Sequence, residues 1–139
     1  MGAIEIERSQ PLVVVVRFNR GATDAECEQF LREYSAILDT EPRFGAVFVS
    51  APNITLITGR QARMHAQFMK ERAATIAERV AGVALSLPSP LSRGVLRAIL
   101  KLQPMPCAHS VVASEAEGVD WVKTRLWKAH VQRMNSRPR

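Results

Sequence analysis

Leu12–Phe18 reads Leu-Val-Val-Val-Val-Arg-Phe, five apolar residues in succession of which four are valine. A branched Cβ sits easily on a pleated strand and crowds a helix. A strand with one face in water alternates apolar with polar side chains, and this one does not alternate before Arg17. Both of its faces are therefore expected to be covered. Such a strand needs helices on its flanks, and the later sequence supplies them.

A chain of 139 residues is expected to form one domain, burying roughly two-thirds of its extended-chain surface, which is enough for a core without staples. Cys27 and Cys107 are the two cysteines, and they form no Cys-x-x-Cys pair. Cys27 falls on the apolar side of a predicted helix, so neither a disulfide framework nor a thiolate metal site is expected. No apolar run approaches the length of a membrane helix. The opening residues include Glu5 and Glu7 and lack a basic start leading into an apolar stretch, so no signal peptide is expected and a cytoplasmic location is. The net charge of +6 is uneven, −3 over residues 1–59 and +9 over residues 60–139. That polarity fits a solvated, arginine-rich helical surface, or a field that attracts an acidic protein, an anionic membrane or nucleic acid.

Residues 4–8 alternate weakly and are expected to pair with Leu12–Phe18 as a hairpin across Ser9–Pro11. Thr23-Asp24-Ala25-Glu26 matches a capping box. Cys27, Phe30, Leu31, Tyr34, Ile37 and Leu38 then follow at helical spacing. Ala46–Val49 reads as a buried inner strand. Thr58-Gly59-Arg60-Gln61 is a second, weaker box opening a helix to about Glu78 or Arg79, with Met64, Phe68, Met69, Ala73, Ile76 and Val80 inward. Val83–Leu87 is the third core strand. Ser89 as cap and Pro90 at the first helical position open a third helix to about Leu102. Its inward face is expected to be Leu91, Val95, Ala98, Ile99 and Leu102, with Leu96 and Leu100 to the side. A last strand is centred on Val111 and Val112. Ser114-Glu115-Ala116-Glu117 opens a final helix to about His130, which Gly118 weakens at its start. Residues 131–139 are expected to be a frayed basic tail beyond a domain of residues 1–130. The order β-β-α-β-α-β-α-β-α, with four helices, predicts an α/β fold with a single, small, mostly parallel sheet joined by right-handed crossovers.

No glycine-rich phosphate loop, nucleophile elbow or His-Glu-x-x-His occurs. The three histidines, His65, His109 and His130, fall on separate elements, so no metal is expected. His65 has no carboxylate three or four residues away to orient it and reads as a surface histidine. No cofactor is expected, and no nucleophile–base pair can be assembled, so no enzyme activity is expected either. Ligands of parallel sheets meet the strands' carboxyl ends and the N-termini of the following helices. That edge would gather Asn19, Arg20, Ser50, Asn53, Thr58, Arg60, Ser89, Ser92 and Arg93 as candidates for a small anion or an acyl ligand. The same residues are also explained as caps, turns and solvated arginines. Ser50 and Thr58 are the candidate phosphorylation sites.

The third helix carries more apolar surface than one sheet contact needs. Leu96 and Leu100, with Arg93 and Arg97 and with Trp121 and Trp127 of the last helix, could form an apolar patch with a basic rim. It would suit a protein partner, including a second copy of the chain; the alternative is that these side chains pack inside one molecule. Contact with an anionic membrane through the basic half stays open. Nucleic acid is not expected, because the aromatics are helical rather than laid out on a sheet.

The element order, together with Gly82-Val83-Ala84-Leu85-Ser86-Leu87-Pro88-Ser89-Pro90 followed by Arg93-Gly94-Val95-Leu96, resembles the STAS/SEC14-type domains, small bacterial proteins with the SpoIIAA-like fold of anti-sigma-factor antagonists. The likeness spans most of residues 4–128. It implies a protein-binding or scaffold role without enzyme activity. Antagonists of that group are phosphorylated on a serine between the third strand and second helix, where this chain has Val49–Thr58. Thr58-Gly59 echoes the group's Asp-Ser-Ser/Thr-Gly wording without its acid. Larger lipid-binding relatives hold an apolar cavity, which a chain this short is not expected to enclose beside a packed core.

Overall fold

The computed structural model describes residues 2–52 and 58–136. The hairpin forms as expected from β1 (Ile4–Gln10) and β2 (Val13–Phe18), and it is followed by α1 (Asp24–Thr40) and β3 (Phe44–Ser50). Next come α2 (Gly59–Glu71), α3 (Ala73–Arg79), β4 (Val80–Ser86), α4 (Pro90–Leu102), β5 (His109–Val112) and α5 (Glu115–Asn135). The five strands form one sheet in the order β1-β2-β3-β4-β5. Only β1 runs antiparallel to its neighbour.

None of Val13–Val16 is more than 4% exposed, which confirms a strand covered on both faces. Val14 and Val16 join Ala46, Val83 and Leu85 beneath the first four helices. Val13 and Val15 join Val47, Ala84 and Val112 beneath α5. The α5 face admits its helix through three glycines. Gly45 and Gly82 are register partners on β3 and β4. A Cβ on Gly45 would collide with Val122, and one on Gly82 would stand 2.8 Å from the Trp121 ring. Gly118, read from sequence only as a weak helix start, lets α5 approach Val47, whose Cγ1 would lie 2.8 Å from an added Cβ.

Three sequence expectations change. The helix foreseen from Thr58 to Arg79 breaks at Arg72 (φ −106°, ψ 13°), giving five helices instead of four. The Arg72 guanidinium holds Asp39 of α1, and the short α3 then turns Ile76 into the core. The last helix does not end near His130 but continues to Asn135. On α4 the apolar face is rotated: Leu91 and Leu102 are exposed, while Leu96 packs on the core.

Of the three capping boxes, that of Thr23 and Glu26 closes in both directions. Thr58 and Ser114 cap α2 and α5, but Gln61 and Glu117 turn elsewhere, Glu117 to the Ala113 N–H. Arg17 fastens the sheet to α5. Its Nε and Nη2 each donate at 2.9 Å to the Glu115 carboxylate, and Nη1 donates at 3.0 Å to Glu7.

Candidate functional site

On the four-helix face, α4 packs mainly against α2 instead of lying down on the strands. Ser89 caps it, Pro90 starts it, and Arg93 Nη1 donates to Leu87 O at 3.0 Å, which fixes its first turn to the end of β4. Between α4 and the sheet lies an apolar cavity of about 190 Å³. The space is partly open to solvent and lies beside the packed core.

One wall is aromatic. Phe30 and Tyr34 of α1 meet Phe18 of β2, Phe48 of β3 and Phe68 of α2, with ring centroids 5.8–6.3 Å apart. Mutually packed rings have few rotamers to collapse with, so they hold the wall in place. Val95, Leu96 and Ile99 of α4 form the opposite wall.

The chain direction gives the cavity two unlike ends. β2, β3 and β4 are parallel, so the ends of these strands and the starts of α1, α2 and α4 share one edge. Arg20, Gly21, Ala22, Ser50, Gln61 and Ser92 line the cavity there. The other end is lined by Met69, Ile76, Val83, Ile99 and Met105.

His65 also borders the cavity, with Phe30 beside it and Cys27 Sγ 3.6 Å from its Nε2. It is not the surface histidine expected from sequence. Burial lowers its pKa to about 4, so the ring is neutral at pH 7. Burial likewise pushes the Cys27 thiol up to about 11, which keeps it protonated and unreactive. Gln61 is 2% exposed and was missed as a site residue. Its Nε2 donates to Ala22 O at 2.9 Å and to Asp24 Oδ1 at 3.0 Å, clasping α2 to the start of α1.

The sequence-derived candidates are distributed unevenly around this space. Arg20, Ser50 and Ser92 border it. Asn19 donates to Gly2 O, Thr58 and Ser89 cap their helices, and Asn53 lies outside the described residues. Arg60 lies instead on an outer groove with Met64, which was expected to point inward. The three arginines proposed for an anion are each engaged: Arg20 with Glu26 at 3.1 Å, Arg60 with Asp24 at 3.4 Å, and Arg93 with Leu87 O. The interface candidates are split across the sheet. Leu96 joins the cavity wall and Leu100 is half-buried on one side. On the other side Trp121 covers Gly82, while Trp127 is 66% exposed. Arg97 is exposed on α4.

The architecture resembles that of a solved structure, an uncharacterised protein of the DUF3478 family with a SpoIIAA-like fold from Shewanella loihica PV-4. The two are 18% identical with a TM-score of 0.54, over 86% of this chain and 92% of that one. The chain therefore has a SpoIIAA-like, or STAS, fold, as its element order suggested. No family model matches the chain, and no curated protein matches it. Among the described residues no helix is long and apolar enough to cross a membrane.

Proposed function

We propose that this protein is a non-enzymatic regulatory domain whose cavity binds a medium-chain apolar or acyl ligand. The cavity itself carries the reading. Packed cores hold few voids larger than a water molecule, whereas this one measures about 190 Å³. An apolar cavity of ~150 Å³ takes up benzene, which scales to room here for a chain of about eight carbons. Apolar walls with no partner atoms facing them forgo dispersion contacts, and an occupant would supply these and tie α4 to the sheet, so that ligand and partner binding could be coupled through one helix.

The other readings have less support. An anion site built on Arg20, Arg60 and Arg93 would have to compete with the partners each guanidinium already holds. A single self-association patch would have to join residues that lie on opposite faces of the sheet.

Titrating the protein with straight-chain alkan-1-ols from butanol to dodecanol, by calorimetry, tests the proposal. Affinity should rise roughly fourfold per methylene, from ~0.8 kcal/mol each, and stop rising near eight carbons. Absence of binding, or affinity indifferent to chain length, would refute it.

A further inference from the structure

We propose that the outer face of α5 is a docking surface for an acidic amphipathic helix of a partner protein, with Trp127 and Met134 as its anchors. This face lies across the sheet from the cavity, so the proposal stands whatever the cavity holds.

α5 has two apolar sides. Val119, Val122 and Ala129 are buried on the side facing the sheet. Trp127, His130, Val131 and Met134 stand three, four and seven residues apart, which puts them on a second side. Trp127 and Met134 are exposed there, and the Trp127 ring packs on that of His130 with centroids 5.9 Å apart. The helix continues past His130 to Asn135, and that extra turn brings Met134 into line with Trp127. Two large apolar side chains seven residues apart have the repeat at which one helix meets another laid alongside it. Tryptophan is also among the residues that most often carry binding energy at an interface.

The charge around this stripe selects the occupant. Residues 121–136 contain Lys123, Arg125, Lys128 and Arg133 and no Asp or Glu. Lys123, Lys128 and Arg133 are exposed and form no ion pair among the described residues. Such a surface draws in and orients a complementary one and repels its like. Two copies pairing α5 on α5 would bring these cations together. A head-to-tail pair would need apolar contacts on the acidic half, residues 1–59, where Leu12 alone is an exposed large hydrophobic among the described residues. A membrane would meet two anchors where an interfacial helix sinks a broad apolar face. An acidic helix with apolar residues at heptad spacing answers both the stripe and the charge.

The probe is a synthetic peptide of three Leu-Glu-Ala-Leu-Glu-Glu-Ala repeats, whose glutamates keep it from pairing with itself at pH 7.5. One control has the same composition in scrambled order, and another has lysine in place of glutamate. By calorimetry the acidic repeat should bind at least tenfold more tightly than the scrambled peptide and weaken as salt rises, with the lysine peptide unbound. Trp127→Ala should weaken binding at least tenfold and Lys128→Glu should also weaken it, both with unchanged melting by circular dichroism. Leu91→Ser, on α4, should leave binding unchanged. If a variant does not fold, the ranking of the three peptides on the wild-type protein decides. Equal binding of the peptides, no binding of the acidic repeat, or indifference to Trp127→Ala overturns the proposal. So does a dimer in light scattering that Trp127→Ala abolishes, or tryptophan emission that shifts on phosphatidylglycerol vesicles and not on the acidic repeat.

Discussion

Cys27 of α1 and His65 of α2 meet at the cavity with Sγ 3.6 Å from Nε2, two side chains 38 positions apart in sequence. The imidazole is held neutral by burial, with its pKa lowered from 6.5 to about 4. The unfolded chain therefore binds a proton between these values that the folded chain does not. Stability contributed by His65 is fully present above pH 6.5 and is lost as pH falls toward 4, up to about 3 kcal/mol. Urea unfolding from pH 7 to 4.5 should show this decline, and His65→Phe should flatten it. The lowered pKa of Glu26, caused first by its hydrogen bond from the Thr23 N–H, adds a separate acid loss below about pH 4.5.

Gly45→Ala should be severely destabilising, by about 3 kcal/mol or more, because the new methyl collides with Val122, the fully buried side chain that seats α5. Gly82→Ala should cost less than Gly45→Ala but still destabilise, since its methyl would stand 2.8 Å from the Trp121 ring and forces that ring to move. Gly94 on α4 meets only the end of the Arg97 side chain at 3.8 Å. Gly94→Ala should therefore stabilise the protein by about 0.5–1 kcal/mol through helix propensity. Denaturant midpoints of the three variants check the ranking.

Val95→Phe places a ring in the cavity from the α4 side. Octanol binding should weaken at least tenfold while the melting temperature holds or rises, because the ring replaces contacts that a ligand would otherwise supply. A variant that melts much lower and still binds octanol would place the ligand elsewhere.

Leu12 turns the first hairpin with φ of 63°, a left-handed conformation, and is 49% exposed. Leu12→Gly should gain about 1 kcal/mol by relieving that backbone cost. It loses little packing, and urea unfolding reads the difference.

The sheet was legible because valine runs and capping residues are local signals. Val13–Val16 could be covered on both faces in only one kind of fold, and the stripe from Cys27 to Leu38 had one apolar side. The site was not legible, because its signals are relations between distant segments. Thr58-x-x-Gln61 has the spacing of a capping box whether Gln61 returns to its own helix or crosses to Asp24. His65 looked solvent-facing because its neighbours come from α1. On α4 apolar residues occur on every side, so periodicity could not choose Val95, Leu96 and Ile99 over Leu91 and Leu102. The break at Arg72 has neither glycine nor proline to announce it.

Methyl-resolved NMR during titration with 1-octanol tests the cavity most directly, because the two faces of the sheet serve as site and control in one sample. Saturating shifts at Ile76, Val83, Leu85, Val95, Leu96 and Ile99, with Val13, Val15, Val47 and Val122 unmoved, are the predicted result. Unchanged spectra, or shifts centred on the α5 face, would contradict the account.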